Sequence, residues 1–172
     1  KANFKRISLK GAEDFHNISI FRIAEAIKNL VEKEGPLHRD IAKRRISELF
    51  QVRLGSRISQ KLDYAISYAV GNDLDMLGDF LWADGQKYAP LRVFKGNGEK
   101  RSVEHIPPEE IAFAIVECVQ NAMSISEDDL VRETARLFGL RATKQVAGEV
   151  RSVIQSLFRI NKLSRKNKKI SL

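Results

Sequence analysis

The chain repeats its own pattern with an offset of 88 residues. The letters IAEAI at 23–27 return as IAFAI at 111–115, and LFQVR at 49–53 returns as LFGLR at 137–141. Solenoid repeats have shorter periods, typically ~20–50 residues. The offset therefore predicts two copies of one small domain, and it limits each copy to a fold that about 80 residues can build.

Composition favours a folded chain that does not enter a membrane. The 172 residues are 43% hydrophobic and 30% charged, and no apolar run approaches a membrane span of ~18–20 residues. Residues 1–20 lack the pattern of a secretory signal. The single cysteine, Cys118, cannot form an internal disulfide, so we expect a reducing compartment, the cytoplasm. Because the chain begins at Lys1, we expect it to be part of a longer polypeptide.

Positive charge is concentrated at the C-terminal end. Residues 141–172 hold nine Lys or Arg and one acid, which accounts for the whole net charge of +8. Positive charge placed this unevenly is typical of a site for nucleic acid or another polyanion. The alternative is a basic tail that is merely solvated.

Apolar spacing predicts three helices in the first copy, followed by a hairpin. The helices cover 20–33, 38–50 and 56–70; Gly35-Pro36 ends the first, and Ser56 is the predicted N-cap of the third. Short strands are predicted at 74–76 and 80–82.

The second copy has the same predicted order. Its helices begin near Pro107-Pro108, after Ser126 and near Thr143, and its strands cover 160–163 and 169–172.

Three helices followed by a hairpin are the arrangement of a winged helix-turn-helix domain. We therefore predict an α+β, mostly α chain of two tandem winged helix-turn-helix domains, each with three helices and a β-hairpin. The predicted regions are an extended lead-in at 1–19, winged-helix domain 1 at 20–87, a β-hairpin connector at 88–106 and winged-helix domain 2 at 107–172. In the connector, strands at 91–94 and 103–106 flank an Asn-Gly turn.

The sequence offers no convincing catalytic site. The three histidines stand apart, and Cys118 lies in an apolar helix where a buried, inert thiol is expected. The acidic pairs at 109–110 and 128–129 fall at helix starts, where the helix dipole explains them. The glycines at 96 and 98 lack the rest of a phosphate-binding loop. We expect no enzyme activity, metal, cofactor, small-molecule substrate or membrane partner for this region.

Duplex DNA is the expected partner. In helix-turn-helix folds the third helix enters the major groove, and flanking basic groups hold phosphates. In each copy the candidate contacts surround the third helix, and in the second they extend into the hairpin. They are Arg53, Ser56, Arg57, Lys61, Arg141, Thr143, Lys144, Gln145, Arg151, Lys162, Arg165, Lys166, Lys168 and Lys169.

The two predicted hairpins have opposite charge. The first carries acids at positions 73, 75, 79 and 84, and a phosphate backbone repels such a wing. The second should therefore make the stronger phosphate contacts, while the first uses its helix face or contacts protein. The aromatics Phe50, Phe80, Trp82 and Phe138 are predicted to close cores, so a base-stacking platform is not expected.

Four motifs, three in the first copy and one at the start of the second, resemble a poorly characterised bacterial family. They are the segments EGPLH at 34–38, RLGSRI at 53–58, FLW at 80–82 and IPPEEI at 106–111. The chain resembles the domain of unknown function near the C-terminus of very large superfamily-1 helicase-related proteins. These often carry a restriction-like (very-short-patch-repair-type) nuclease domain. The resemblance implies an accessory region of a larger helicase or nuclease, and it transfers no catalytic residue.

The expected function is thus non-catalytic DNA binding in a larger helicase-like or nuclease-like polypeptide. One alternative is a protein-docking module of the same large protein, with the basic tail merely solvated. Another is a stand-alone winged-helix repressor or replication initiator.

Overall fold

The computed structural model describes residues 12–96 and 100–172. The prediction of an α+β, mostly helical chain is confirmed, with two small antiparallel sheets among the described residues. Two compact units divide between Lys87 and Tyr88. In the described part of the chain, no helix is both long and apolar enough to cross a membrane.

The first unit contains helices and strands in the following order: α1 (Ala12–Asn17), α2 (Ile20–Glu34), β1 (Leu37–His38), α3 (Arg39–Leu49), α4 (Ser56–Asn72), β2 (Leu74–Leu77) and β3 (Phe80–Ala83). Helix α2 begins where the Ser19 side chain accepts the Arg22 N–H at 3.3 Å. It ends at Gly35, whose N–H donates to the Val31 carbonyl at 2.7 Å. The buried stripe of α2 packs mainly on α4, and Phe15 of α1 and Phe50 after α3 close the core.

The second unit begins with an irregular segment and a 3₁₀ turn (Val103–His105), which precede its regular elements. These are α5 (Pro108–Ala122), β4 (Ile125–Ser126), α6 (Glu127–Leu137), α7 (Lys144–Arg159), β5 (Ser164–Lys166) and β6 (Lys169–Ser171). Pro108 occupies the start of α5, where its missing N–H leaves no hydrogen bond unmade. The Ser126 and Thr143 side chains cap α6 and α7, as the sequence predicts.

The repeat in the sequence is a repeat of structure. Helices α2 and α5 each have 15 residues and α3 and α6 each have 11, and each pair begins 88 positions apart. Strands β1 and β4, which the sequence did not predict, also lie 88 positions apart. Each unit has its own buried apolar cluster. The shared apolar positions therefore encode the same core twice.

The two sheets have the same topology. Their strand orders are β1-β3-β2 and β4-β6-β5, and all pairs are antiparallel. In the first sheet Leu77 pairs with Phe80 across a two-residue turn in which Gly78 has φ +59. In the second, Lys166 pairs with Lys169 across Asn167 and Lys168, which both have positive φ. This is the requirement of a type I′ turn, which matches the twist of paired strands.

The predicted β-hairpin connector is wrong for the described residues. No strand forms at 91–94, and Val103–His105 is a 3₁₀ turn. The backbone of this segment forms hydrogen bonds with helices instead. The Arg92 N–H donates to the Glu110 carboxylate on α5 at 2.9 Å, and the Phe94 N–H donates to the Leu137 carbonyl on α6 at 2.8 Å. The Asn-Gly turn falls at 97–99, outside the described residues.

Three smaller predictions also need correction. The lead-in contains α1 at 12–17, while residues 1–11 lie outside the described part. Gly55, not Ser56, is the N-cap of α4, without a side-chain hydrogen bond. The final hairpin begins at Ser164 because residues 160–162 still complete the end of α7, where Lys162 N–H donates to the Leu157 carbonyl.

Candidate nucleic-acid interface

The tip of the β5–β6 hairpin concentrates positive charge. Lys166 and Lys169 are cross-strand partners, and Lys168 lies in the turn between them. All three side chains are exposed, and no described carboxylate pairs with them. Like charges directly opposite each other destabilise a strand pair, so this tip gains from an anion that lies against it.

Further unpaired cations belong to the same unit. Arg141 and Lys144 flank the start of α7, while Arg159 and Lys162 lie at its end. All four are exposed and have no ion-pair partner among the described residues. Together with the three hairpin lysines they form a set that we call the unpaired cations: Arg141, Lys144, Arg159, Lys162, Lys166, Lys168 and Lys169.

Arg151 and Arg165 differ from that set because carboxylates hold them. Arg151 Nε lies 3.4 Å from one oxygen of Glu127 and Arg151 also bonds to Asp128 at 2.8 Å, while Arg165 pairs with the other Glu127 oxygen. The Arg165 guanidinium also lies 5.0 Å from the Phe158 ring centroid. Glu127 thus joins the hairpin, α6 and α7, and a phosphate would have to compete with it for both arginines.

The polar candidates have local roles. The Thr143 hydroxyl accepts the Val146 N–H at 3.3 Å as a helix cap. Gln145 donates to Glu104 at 3.4 Å. Ser56 is the exposed first residue of α4.

In the first unit, Arg53 and Arg57 are exposed beside the start of α4, but Lys61 is not available as predicted. The Lys61 ammonium donates to the carbonyls of Phe15, His16 and Ile18 at 3.0, 2.6 and 2.6 Å. These carbonyls lie at the end of α1, where a cation favours the helix dipole. Burial lowers the pKa of Lys61. Lys61 therefore anchors α1 and does not belong to the candidate surface.

Two other cations of the first unit, Arg39 and Lys43, share one acid. Asp63 on α4 accepts Arg39 and Lys43 from α3, each at 2.6 Å. Burial alone would raise the pKa of Asp63, but hydrogen bonds from Lys43 and Arg39 outweigh it and lower that pKa. In the β2–β3 hairpin, Asp75 and Asp79 are exposed. Among its described residues, this unit offers less unpaired positive charge than the second.

A buried carboxylate fixes the segment that precedes α5. Glu110 is fully buried and accepts hydrogen bonds from the Arg92 and Arg101 guanidinium groups, the shortest at 2.6 and 2.7 Å. Desolvation would raise the pKa of Glu110, but the bonds from Arg101 and Arg92 outweigh it and lower that pKa. The position of Glu110 at a helix start predicts only an interaction with the helix dipole, because Arg92 and Arg101 lie in the segment for which the sequence predicts a β-hairpin.

The predicted core aromatics Phe50, Phe80, Trp82 and Phe138 are all buried. Two of the exposed aromatics, which the sequence analysis does not single out, contact each other. Phe21 and Tyr68 are 62% and 43% exposed and contact each other edge to face. The signal was available: both lie off the apolar stripes of α2 and α4.

Comparisons with known proteins give one match. A family model described as "Protein of unknown function (DUF3320)" matches residues 13–60, from α1 into the first turn of α4. No curated protein and no solved structure matches the chain. The matched region includes two of the four motifs on which the family resemblance rests, those at 34–38 and 53–58. Residues 13–60 are therefore similar to an uncharacterised domain family.

Proposed function

We propose that the chain is a non-catalytic DNA-binding region whose second unit makes the main phosphate contacts through the unpaired cations. The observation that carries this proposal is the hairpin tip, where Lys166, Lys168 and Lys169 meet without a carboxylate partner in the described part of the chain. Duplex DNA carries one negative charge per ~1.7 Å of its axis, so each of these ammonium groups can neutralise a phosphate.

The element order of each unit supports a winged helix-turn-helix interpretation. Helices α6 and α7 would form the helix-turn-helix, and β5–β6 would be the wing. The start of the third helix in such domains leads into the major groove. Lys144 and Gln145 lie in that first turn of α7, with Arg141 just before it. Arginine and lysine dominate this set, which favours phosphate contact over the reading of a base sequence.

The family resemblance extends the proposal to a biological setting. We infer that this region serves a larger helicase-related or nuclease-related polypeptide in the cytoplasm. Its contribution would be to hold duplex DNA while another domain performs the chemistry.

A salt titration tests the proposal. The full 172-residue chain is mixed with a labelled 20-base-pair duplex, and the binding constant is measured by anisotropy at several salt concentrations. Each lost phosphate contact should flatten the log–log slope by ~0.9. We expect Lys166→Ala, Lys168→Ala and Lys169→Ala together to reduce the slope by roughly 2 to 3.

A control variant removes three charges elsewhere. Lys87, Lys95 and Lys100 are exposed, and replacing them by Ala gives the same net charge as the hairpin variant. The control should keep the slope of the unmodified chain. No binding at low salt, or equal slopes for the two triple variants, would overturn the proposal.

A further inference from the structure

A cleft of about 300 Å³ lies between α2 and α4 of the first unit. Its lining includes two aromatic rings, two carboxylates, one ammonium and one amide: Phe21, Tyr68, Glu25, Asp73, Lys28 and Asn29. None of the residues that line the cleft belongs to the proposed DNA contact.

Exposed aromatic rings form the walls of the cleft. Phe21 and Tyr68 have ring centroids 6.4 Å apart and an interplanar angle of 83°. Neither ring belongs to the buried core of the unit. The face of an aromatic ring carries negative electrostatic potential, which attracts a cation placed over it.

Several hydrogen-bond acceptors of the cleft remain open. Asn29 Nδ2 donates to the Glu25 carbonyl at 2.9 Å, which leaves the amide oxygen open. Lys28 donates to Asp73 Oδ1 at 2.6 Å, which leaves Oδ2 open. The Glu25 carboxylate is exposed, and no described cation pairs with it. A ligand with several hydrogen-bond donors can therefore bond to these acceptors.

The surroundings of the cleft are acidic. The hydrogen bond to Asp73 raises the pKa of Lys28, and the charges of Glu32 and Asp84 raise it further. Two carboxylates, Glu25 and Asp73, thus line the cleft with a single ammonium, and Glu32 and Asp84 add negative charge near that ammonium. This balance favours a positively charged ligand and disfavours a phosphate.

We propose that this cleft binds the guanidinium of an arginine on a basic segment of a partner protein. Guanidinium presents five N–H donors and no acceptor, stacks on aromatic faces and matches a carboxylate with two parallel bonds. The site belongs to the first unit alone. At the positions 88 residues later, Glu109 and Ser156 replace Phe21 and Tyr68.

Titration of the full chain with a ten-residue Gly/Ser peptide that carries two arginines tests this assignment by NMR. We expect amide shifts in α2 and α4 near Phe21 and Tyr68. Citrulline keeps the shape of arginine without its charge, so the citrulline peptide should bind at least roughly tenfold more weakly. The lysine peptide should bind more weakly than the arginine peptide, because an ammonium lacks the planar donor fork.

Matched variants on one helix separate the cleft from general charge attraction. Tyr68→Ala should weaken peptide binding roughly threefold to tenfold. Tyr64→Ala removes an exposed tyrosine one turn away that does not line the cleft, and it should bind like the unmodified chain. Glu25→Gln should also weaken binding, whereas Glu149→Gln in the second unit should not.

Four results would overturn the proposal. They are absence of binding, equal affinity for the citrulline or lysine peptide, equal effects of Tyr68→Ala and Tyr64→Ala, and the same amide shifts produced by a ten-residue oligo-dT strand. The last result would identify a base-stacking site instead. DNA binding by the second unit can fail or succeed independently of all four.

Discussion

The two units use the same backbone and opposite charges. In the first, Arg39 at the start of α3 pairs with Asp63 on α4 at 2.6 Å. At the positions 88 residues later, Glu127 at the start of α6 pairs with Arg151 on α7 at 3.4 Å. The bridge between the two helices is kept, and its sign is reversed. The shared fold thus rests on apolar packing, and this ion pair is compatible with either arrangement of its charges.

A second difference concerns the equivalent helices α2 and α5 and the segment that precedes each of them. In the second unit Glu110 is buried under Arg92 and Arg101. The equivalent residue of the first unit, Arg22, is exposed. An ion cluster therefore holds the segment before α5 in place, whereas α1 is held by Lys61 and the burial of Phe15.

Replacing Glu110 should produce the largest stability effect. Glu110→Gln removes the charge that two arginines share, and loss of one partner of a buried ion pair costs about 3 kcal/mol at the lower end of its range. We expect that lower end because Arg92 and Arg101 keep side-chain exposures of 31% and 26% and can reach water. Urea unfolding followed by far-UV circular dichroism measures the change.

Arg22→Gln is the matched control at the equivalent position of the first unit. An exposed polar substitution of this kind should change the free energy of unfolding by no more than ~0.5 kcal/mol. Equal effects of Glu110→Gln and Arg22→Gln would show that the buried cluster contributes nothing specific to the second unit.

Acid should weaken the second unit more than the first. The pKa of Glu110 lies below its ordinary value of 4.5, so this carboxylate stabilises the fold above about pH 4.5 and loses that contribution as the pH falls further. Asp63 in the first unit also has a lowered pKa, but its side chain is 36% exposed, and solvent screening reduces its contribution.

Hydrogen exchange measured from pH 6 downward tests this difference. Amides of α5 should lose protection at a higher pH than those of α2, after correction for the intrinsic exchange rates. Glu110→Gln should remove most of the difference between the two helices. The opposite order of loss would contradict the prediction.

Changing the N-caps of α4 and α7 should have the smallest effect. Thr143 caps α7 through its hydroxyl, and Gly55 occupies the equivalent position before α4 without a side-chain bond. Thr143→Ala should destabilise the fold by about 1 kcal/mol. Gly55→Thr should stabilise it by only about a few tenths of a kcal/mol, because glycine is itself a tolerated N-cap. Gly55 has φ −107 and open space around its Cα, so a side chain fits there. Thermal unfolding of both variants measures the asymmetry.

Apolar periodicity made most of the fold predictable. The predicted helices at 38–50 and 56–70 match α3 and α4 to within about two residues, because each has one buried stripe. Strands β1 and β4 have two residues each, too few to show alternation. The apolar run at 91–94 resembled a strand, but its partners are helices distant in sequence, which local pattern cannot reveal.

The sequence predicts those site residues whose availability depends only on their exposure. Lys166, Lys168 and Lys169 lie in the predicted hairpin and remain unpaired among the described residues. Lys61, Arg151 and Arg165 also read as surface cations, but their acceptors come from α1 and from the start of α6. Tertiary contacts decide which cations form such bonds. The spacing of residues along one helix does not reveal those contacts.

The reversed bridge has a consequence for folding. A chain that carries one fold twice risks assembling a hybrid, in which a helix from one repeat packs into the other. If α3 took the place of α6, Arg39 would face Arg151; in the reverse exchange, Glu127 would face Asp63. Both hybrids set like charges together where each correct unit has an ion pair. The reversal therefore disfavours a hybrid in which the two repeats exchange these helices.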